Sequence, residues 1–386
     1  MKSISLPAIL RIGAGALGAL PDALRQAGLS SPLVVTDRFM ATGGMLERLQ
    51  RVLHEAGIQA RVFDGVVPDP TVASVLAGLE TLRGGRHDCV IGLGGGSPID
   101  SAKMIAVLAR HDTTPRALKV PHLQDEPGLP IVAIPTTAGT GSEATRVTVI
   151  TDEDTQEKML CAGQAFLPRI AIVDFELTLR KPFRLTADTG LDALTHAIEA
   201  YVSRQASPFT DTLALGAMRA IWPNLPRVCF EPDDRAAREA MMLGALQAGM
   251  AFSNSSVALV HGMSRPIGAH FHVAHGLSNA MLLAEITAWS VPAATGRYAD
   301  CARAMGVVAP GTPDDEASAA LVDALRARAA ELEVPSPRRF GIEPARWEAA
   351  LPVMAEQALA SGSPGNNPRV PDASEIAALY RRVFDL

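Results

Sequence analysis

Residues 88–103 read DCVIGLGGGSPIDSAK, an apolar run that ends in glycines and opens into a helix-like segment. The same alternation recurs on both sides of this stretch, over the first half of the chain. Strand-length apolar runs and helix-like segments follow one another, the runs at 32–37, 88–95, 130–137 and 169–174 and the segments near 44–56, 71–83 and 98–110. Strands that alternate with helices predict an α/β fold, a parallel sheet with crossover helices.

The glycines at the end of the quoted run form a candidate phosphate loop. Ser97 is a good N-cap, Pro98 suits the first helical position, and Asp100 completes an S-x-x-D capping pattern. Glycines before a helix N-terminus let backbone N–H groups approach an anion, and the helix dipole adds to the attraction. The alternative is an ordinary glycine-rich turn. The predicted pyrophosphate cradle comprises Gly94, Gly95, Gly96 and Ser97, and Asp100 is predicted to belong to the same cofactor-binding segment.

A second glycine motif lies at 13–18, GAGALG, which matches G-x-G-x-x-G. Asp37 ends an apolar run 19 residues after Gly18, where an acid that binds ribose belongs. Only a short apolar stretch precedes the motif, so Asp37 is kept as the adenosine-ribose ligand and the glycines are set aside as the main phosphate site. An Asp at this position favours NAD, because its charge repels the 2′-phosphate of NADP.

The segment 135–143, PTTAGTGSE, is a further strand end that is rich in hydroxyl groups. Its threonines could bind a cofactor phosphate or ribose, or could cap their own loop, and the local pattern does not separate the two. The candidates are Thr136, Thr137 and Thr140.

From about residue 181 onward the strand-like runs stop, and Ala/Leu/Met-rich amphipathic stretches follow, as in 191–204 and 235–252. We predict an α/β dinucleotide-binding domain over 1–180 and an all-helical domain over 181–386. A chain of 386 residues with 48% hydrophobic residues is long enough for two such cores.

Composition excludes several classes of function. The net charge is −6 and no basic run is present, which argues against nucleic-acid binding. The four cysteines are far apart and form no C-x-x-C pair, so neither a thiolate zinc site nor a disulfide framework is indicated. No secretory leader and no apolar run of membrane-spanning length is seen, so we expect a soluble cytoplasmic protein without a membrane partner.

Two pairs of potential ligands, and the chemistry of their donor atoms, indicate a metal site. Asp192 and His196 lie four apart in a helical pattern, so they share one face. His261 and His275 lie 14 apart and each is followed by Gly, although His270 and His272 are close by. Spacing does not decide which of these histidines are ligands, and an isolated D-x-x-x-H is more often a surface pair. Imidazoles and a carboxylate suit Fe(II), Zn(II), Ni(II) or Mn(II).

The ordered motifs resemble a known family. GGGSPIDSAK, PTTAGTGSE, TGLDALTHAIEAY, FSNSSVALVHGMSRPIG and HGLSNAMLL together resemble the iron-containing (group III) alcohol dehydrogenases, the family of lactaldehyde reductase and 1,3-propanediol dehydrogenase. The similarity runs over essentially the whole chain. It implies a Rossmann-like α/β domain that binds NAD(H), a helical domain that binds metal and substrate, and an active site in the cleft between the two domains. It also implies a homo-oligomer, a dimer or larger.

Matched motif by motif, the resemblance implies a metal site, preferably for Fe(II), whose ligands are Asp192, His196, His261 and His275. It adds Asp69 and Lys158 to the residues that face the nucleotide, and it reduces Gly13, Gly15 and Gly18 to an N-terminal turn. The implied reaction is hydride transfer between NAD(H) and a short alcohol, diol or aldehyde. We expect Val147 and Phe252 to be walls of the substrate pocket.

One position departs from the family pattern. Close relatives carry a histidine four residues after the third metal ligand, and this chain has Arg265, a poor proton shuttle. His270, His272 or water could move the proton instead, and Arg265 could hold an anionic group or form a structural ion pair. Other activities of the superfamily stay open at this point: maleylacetate reductase, glycerol dehydrogenase and hydroxyacid–oxoacid transhydrogenase.

Overall fold

The computed structural model describes residues 3–179 and 181–386 of the chain. Its described residues form two compact units, Ser3–Lys181 and Pro182–Leu386.

The first unit contains a six-stranded parallel sheet and a separate antiparallel hairpin. The strands are β1 (Ile9–Ile12), β2 (Pro32–Asp37), β3 (Arg61–Val66), β4 (Cys89–Gly94), β5 (Ile131–Pro135), β6 (Val147–Asp152), β7 (Glu157–Ala162) and β8 (Ile170–Val173). The sheet order is β1-β8-β5-β4-β2-β3, and β6 pairs with β7. All neighbours in the sheet are parallel, as predicted.

Helices cover both faces of this sheet. The helices are α1 (Leu20–Gln26), α2 (Arg38–Thr42), α3 (Met45–Glu55), α4 (Val72–Arg83) and α5 (Gly96–Leu108). Leu33 and Val35 of β2 pack in one buried cluster with residues of α4 and α5. Val34, between them, packs in the opposite cluster with residues of α1 and α3. Strands buried on both faces read as continuous apolar runs, which explains why β2, β4, β5 and β8 were predictable.

Four strands were not predicted. The strands β1 and β3 are the two edges of the sheet, and β3 is largely exposed. The hairpin strands β6 and β7 alternate between buried and half-buried residues. None of the four presents the uninterrupted apolar run that marks a central strand.

The order of the strands places the predicted cofactor segments together. The chain passes from β2 outward to β3, then returns across β2 to β4 and continues to β5. The crevice at such a reversal, outside the carboxyl ends of the strands, is where α/β sheets bind ligands. Asp37 ends β2, the loop 94–97 follows β4, and Thr136 follows β5, with its N–H donating to the Gly94 carbonyl at 2.9 Å.

The start of α5 corrects one prediction. The N-cap of this helix is Gly95, and no side chain caps it, so the expectation that Ser97 is the N-cap was wrong. Ser97 instead lies in the first helical turn. The GAGALG segment forms a turn, as expected, in which Gly15 N–H and Leu17 N–H donate to the Asp174 carboxylate at 3.2 and 3.1 Å.

The second unit is helical in its described residues, as predicted from its amphipathic pattern. Its helices are α6 (Phe183–Val202), α7 (Pro208–Phe230), α8 (Arg235–Asn254), α9 (Leu259–Phe271), α10 (His275–Ser290), α11 (Thr295–Ala304), α12 (Asp314–Glu331), α13 (Pro337–Phe340), α14 (Pro344–Ala360) and α15 (Ala373–Phe384). Among the described residues, no helix has both the length and the apolar character needed to cross a membrane.

Candidate metal centre and cofactor site

Three helices of the second unit bring four potential metal ligands together. Asp192 and His196 come from α6, His261 from the first turn of α9, and His275 is the first residue of α10. Asp192 Oδ1 lies 3.9 Å from His196 Nδ1, 3.5 Å from His261 Nε2 and 3.7 Å from His275 Nε2. One ligand atom from each residue lies within 4.8 Å of the others. The four side chains therefore converge on one point.

The local sequence explains how His275 reaches this cluster. Gly276 follows it, and a Cβ there would lie 2.4 Å from the backbone carbonyl oxygen of Asp188 on α6. Any larger residue at 276 would push the two helices apart. The glycine thus permits the close approach of α10 to α6 on which the position of His275 depends.

The other two nearby histidines lie outside the cluster. His270 Nε2 is 3.0 Å from Gln357 Oε1 of α14. His272 follows the last residue of α9 in the left-handed conformation, with φ 56°, and is exposed. The structure thus groups His261 and His275 with Asp192, a choice that spacing alone left open.

The donor set and its environment suit a divalent metal ion. Three of the four residues are buried, and His275 is half-buried. His196 Nδ1 is buried without a hydrogen-bond partner among the described residues, as expected of an atom whose partner is a metal ion. Burial lowers the pKa of His196 to about 3, so its imidazole is neutral at pH 7, which is the form that binds metal. Burial opposes ionisation of Asp192, but the adjacent imidazoles outweigh it and lower the pKa of that carboxyl.

Glu199 supports His261 from the side opposite the cluster. Its Oε2 accepts a hydrogen bond from His261 Nδ1 at 2.6 Å. Because Nδ1 then carries the proton, Nε2 presents its lone pair toward Asp192. The same carboxylate accepts from Ala258 N–H at 2.9 Å and Val260 N–H at 2.6 Å, so it also holds the start of α9. Our sequence reasoning missed Glu199, although positions 192, 196 and 199 share one helical face.

Asn279 is a second residue that the sequence analysis missed. It lies one turn after His275, and its Nδ2 is 2.7 Å from Asp192 Oδ1, 3.1 Å from His261 Nε2 and 3.3 Å from His275 Nε2. The amide therefore contacts three of the four potential ligands. The i, i+4 spacing from His275 was the available signal.

The two predicted pocket residues lie in different units. The ring of Phe252, at the end of α8, stacks on the His196 imidazole with a centroid distance of 4.2 Å. Phe252 thus forms an apolar wall beside the candidate metal ligands. Val147 is the half-buried first residue of β6, and its carbonyl accepts a hydrogen bond from Lys103 at 2.8 Å.

Arg265 lies one turn after His261 in α9 and is buried. Its Nη1 donates to Ser363 Oγ at 2.9 Å, and its Nε has no partner among the described residues. The structural ion pair considered at the sequence level is thus absent from the described part of the chain.

In the first unit, the two predicted cofactor loops form one surface. A Cβ added to Gly95 would lie 3.5 Å from Thr137 Oγ1, and one added to Gly96 would lie 2.9 Å from the Thr140 methyl group. The Thr140 hydroxyl accepts from Ser142 N–H at 3.2 Å, and Thr136 is fully buried. Thr137 and Thr140 are half-buried beside the helix N-terminus, whereas Thr136 faces the interior.

The two predicted acids follow neighbouring strands of the sheet, and the predicted lysine pairs with one of them. Asp37 caps α2 by accepting from Met40 N–H at 2.8 Å, and it remains half-buried. Asp69, in the loop after β3, has a positive φ of 49° and pairs with Lys158 Nζ of β7 at 2.7 Å. The structure thus brings Asp69 and Lys158 into direct contact.

Asp100 does not cap its own helix, so that part of the prediction was wrong. Its Oδ1 accepts from the Ser142 hydroxyl at 2.7 Å and its Oδ2 from Val149 N–H at 2.9 Å. One turn later, the buried Lys103 ammonium donates to the carbonyls of Thr145 and Val147 at 3.0 and 2.8 Å. Asp100 and Lys103 therefore tie the segment 142–149 to α5.

Comparison with known proteins agrees with this arrangement. The family description "Iron-containing alcohol dehydrogenase" matches residues 7–175, and "Fe-containing alcohol dehydrogenase family, C-terminal" matches 186–384. Lactaldehyde reductase of Escherichia coli K12 is 37% identical over 375 residues, which cover 96% of this chain and 97% of that protein. The NAD-dependent methanol dehydrogenase of Bacillus methanolicus is 34% identical over 385 residues, which cover 100% of both.

A crystal structure of a 1,3-propanediol oxidoreductase is similar over 100% of both chains, with a TM-score of 0.94 and 35% identity. The family descriptions together span both compact units, and the four candidate metal ligands lie within the second match. The chain therefore belongs to the iron-containing alcohol dehydrogenase family.

Proposed function

We propose that this protein is a metal-dependent alcohol dehydrogenase or aldehyde reductase that transfers hydride between NAD(H) and a short alcohol or diol. The observation that carries the proposal is the convergence of Asp192, His196, His261 and His275 within 4.8 Å. The names of the relatives support the substrate class, since they act on lactaldehyde, methanol and 1,3-propanediol. A divalent ion held by these residues would polarise a carbonyl oxygen or lower the pKa of an alcohol.

The protein's own groups orient and shield the reacting atoms. Glu199 holds His261 in the tautomer that turns Nε2 toward the cluster. Phe252 stacks on the His196 ring and would limit the access of water from that side. An apolar wall of this kind suits a short aliphatic substrate and strengthens the electrostatic effects of the site.

We propose that the first unit binds NAD(H) at the reversal point of its sheet. The pyrophosphate would lie on the backbone N–H groups of Gly95, Gly96 and Ser97, at the N-terminus of a 13-residue helix. Asp37 would bind the adenosine ribose, and Thr137 and Thr140 would line the adjacent surface. Asp69 and Lys158, which form an ion pair with each other, would face the bound nucleotide.

The identity of the metal ion, the cellular compartment and the oligomeric state belong to the same proposal. Fe(II) is the proposed ion, although Zn(II), Ni(II) and Mn(II) accept the same ligands. Each of the four cysteines is a buried free thiol in the described part of the chain, which fits a reducing compartment such as the cytoplasm. A homo-oligomer, a dimer or larger, remains a prediction.

The test is turnover of short alcohols, diols and aldehydes with NAD(H) and NADP(H). Protein stripped of metal would be compared with the same protein reloaded separately with Fe(II), Zn(II), Ni(II) or Mn(II). We expect turnover only after reloading. Equal activity without metal would identify a metal-independent reductase. Turnover only between two organic substrates, with a retained nucleotide, would identify a transhydrogenase.

Replacing Asp37 tests the choice of cofactor. Asp37→Ser removes the negative charge but keeps an N-cap for α2, so the fold should be preserved. We expect the ratio of kcat/KM for NADP⁺ to that for NAD⁺ to rise by about tenfold or more, because a repulsion worth about 1.4 kcal/mol is lost. The exposed Asp22→Ser is the control. An identical ratio in both variants would exclude Asp37 as the ribose ligand.

A further inference from the structure

Arg265 is a buried cation that has no carboxylate partner within the part of the chain that the structure describes. Its residue surface is 7% exposed, and the hydroxyl of Ser363 is the acceptor that it contacts. Among residues 3–179 and 181–386, its Nε has no hydrogen-bond partner and no carboxylate pairs with it. Burial lowers the pKa of Arg265 to about 10, so the group remains charged at neutral pH.

Another buried arginine in the same unit shows what a structural role requires. Arg238 is 4% exposed and donates to three acceptors: the Pro232 carbonyl at 3.0 Å, Thr186 Oγ1 at 3.3 Å and the Val228 carbonyl at 3.3 Å. Buried charged groups are normally paired or hydrogen-bonded in this way, because leaving them unpaired is costly. Arg265 departs from this pattern, which indicates that its partner is a group from outside the chain.

The acid whose charge acts on Arg265 is not available as that partner. Glu199 attracts Arg265 electrostatically. Both of its oxygens, however, are already engaged by Ala258 N–H, Val260 N–H and His261 Nδ1. Arg265 lies one turn after His261 in α9, so the two side chains share one face of that helix. The unneutralised charge thus lies close to the site where the substrate would react.

We propose that Arg265 binds an anionic group of the substrate, so that the preferred substrates are short hydroxy acids and the corresponding aldehyde acids. This inference rests on the proposed dehydrogenase function. Oxidation would transfer the carbinol hydride to C4 of the nicotinamide, reducing NAD⁺ to NADH, and would release the hydroxyl proton to water. The carboxylate does not react and is held by the guanidinium, whose planar fork matches its two oxygens.

Matched substrate pairs test this inference. Each hydroxy acid is compared with the diol of equal chain length: glycolate with ethylene glycol, 3-hydroxypropionate with 1,3-propanediol, and 4-hydroxybutyrate with 1,4-butanediol. We expect kcat/KM for the best hydroxy acid to exceed that of its diol by about tenfold or more, as a charge-assisted hydrogen bond allows. A preference for the diol in every pair would overturn the inference.

Two variants separate charge from shape. Arg265→Met removes the charge at similar length, and we expect it to raise KM for the hydroxy acid by about 10- to 100-fold while KM for the diol changes by less than about threefold. Arg265→Lys keeps the charge and should retain part of the preference. The exposed Arg339→Met is the control, and thermal unfolding checks that each variant is folded. Equal losses of kcat/KM for the hydroxy acid and its diol would contradict the proposal. A raised KM for NAD⁺ with an unchanged preference for the hydroxy acid would also contradict it, because Arg265 would then bind an anionic group of the cofactor.

A binding measurement distinguishes this inference from the proposed function. Calorimetric titration of 4-hydroxybutyrate into the metal-loaded protein with NADH should show binding that Arg265→Met weakens by about tenfold or more. If the enzyme turns over diols but does not bind the hydroxy acid, the inference fails and the proposed function stands. If the hydroxy acid binds through Arg265 but no alcohol is oxidised, the proposed function fails.

Discussion

In the His261→Asn variant, kcat/KM should fall by about a thousandfold or more for any alcohol that the metal-loaded enzyme oxidises. His261 is 2% exposed and contributes one of four converging ligand atoms, its Nε2 lying 3.5 Å from Asp192 Oδ1. Removing it opens one quarter of the proposed ligand set, so an ion held there would be bound more weakly. Asn keeps much of the side-chain volume, so the loss should exceed any effect of misfolding.

Metal content, measured by elemental analysis after dialysis, should fall in parallel with activity in this variant. His270→Ala is the matched control, since His270 lies on the same helix but bonds to Gln357 instead. It should keep its metal. Full metal content in His261→Asn, or equal losses in both variants, would show that the four-residue cluster is not the metal site.

The second large effect is expected at Glu199. Glu199→Gln should weaken metal binding by about 10- to 100-fold, because groups that orient a metal-binding histidine typically contribute this much. In the wild type, the two oxygens of the Glu199 carboxylate accept hydrogen bonds from His261 Nδ1 and from two backbone N–H groups. A glutamine offers only one oxygen acceptor to these three donors. Glu199→Ala should go further and also lower the free energy of unfolding by about 2 kcal/mol or more, since three buried donors lose their acceptor.

Chelator competition measures the loss of metal affinity. Urea unfolding of the metal-free protein measures the loss of stability separately. Glu285→Gln is the control: Glu285 is also a buried acid, paired with Arg326 and Arg382, but it does not contact the cluster. It should lower stability without changing metal affinity. A metal affinity that is equal in Glu199→Gln and the wild type would exclude the positioning role.

Local pattern was sufficient for much of the architecture. The buried strands β2, β4, β5 and β8 are continuous apolar runs because both faces of the sheet are covered, so they could be located without the structure. The pairing of Asp192 with His196 on one face follows from the helical repeat. The edge strands β1 and β3 could not be found in this way, because one or both of their faces meet water. The start of α5 was misplaced because Gly95, which has no side chain to recognise, acts as its N-cap.

The features of the candidate site also fall into those that depend on local sequence and those that depend on tertiary contacts. From the sequence alone came the α/β and helical halves, the glycine loop, the acid that ends β2, and the types of residue that could hold a metal, because each depends on neighbours a few positions apart. Helical spacing left His261, His270, His272 and His275 undecided, and the resemblance to the family singled out His261 and His275, which the tertiary structure brings together with Asp192 and His196. Only the tertiary structure added Glu199 and Asn279 and showed that Arg265 lacks a carboxylate partner within the described residues. Those features depend on contacts between helices distant in sequence, and the periodicity of one helix carries no information about which groups its neighbours bring to it.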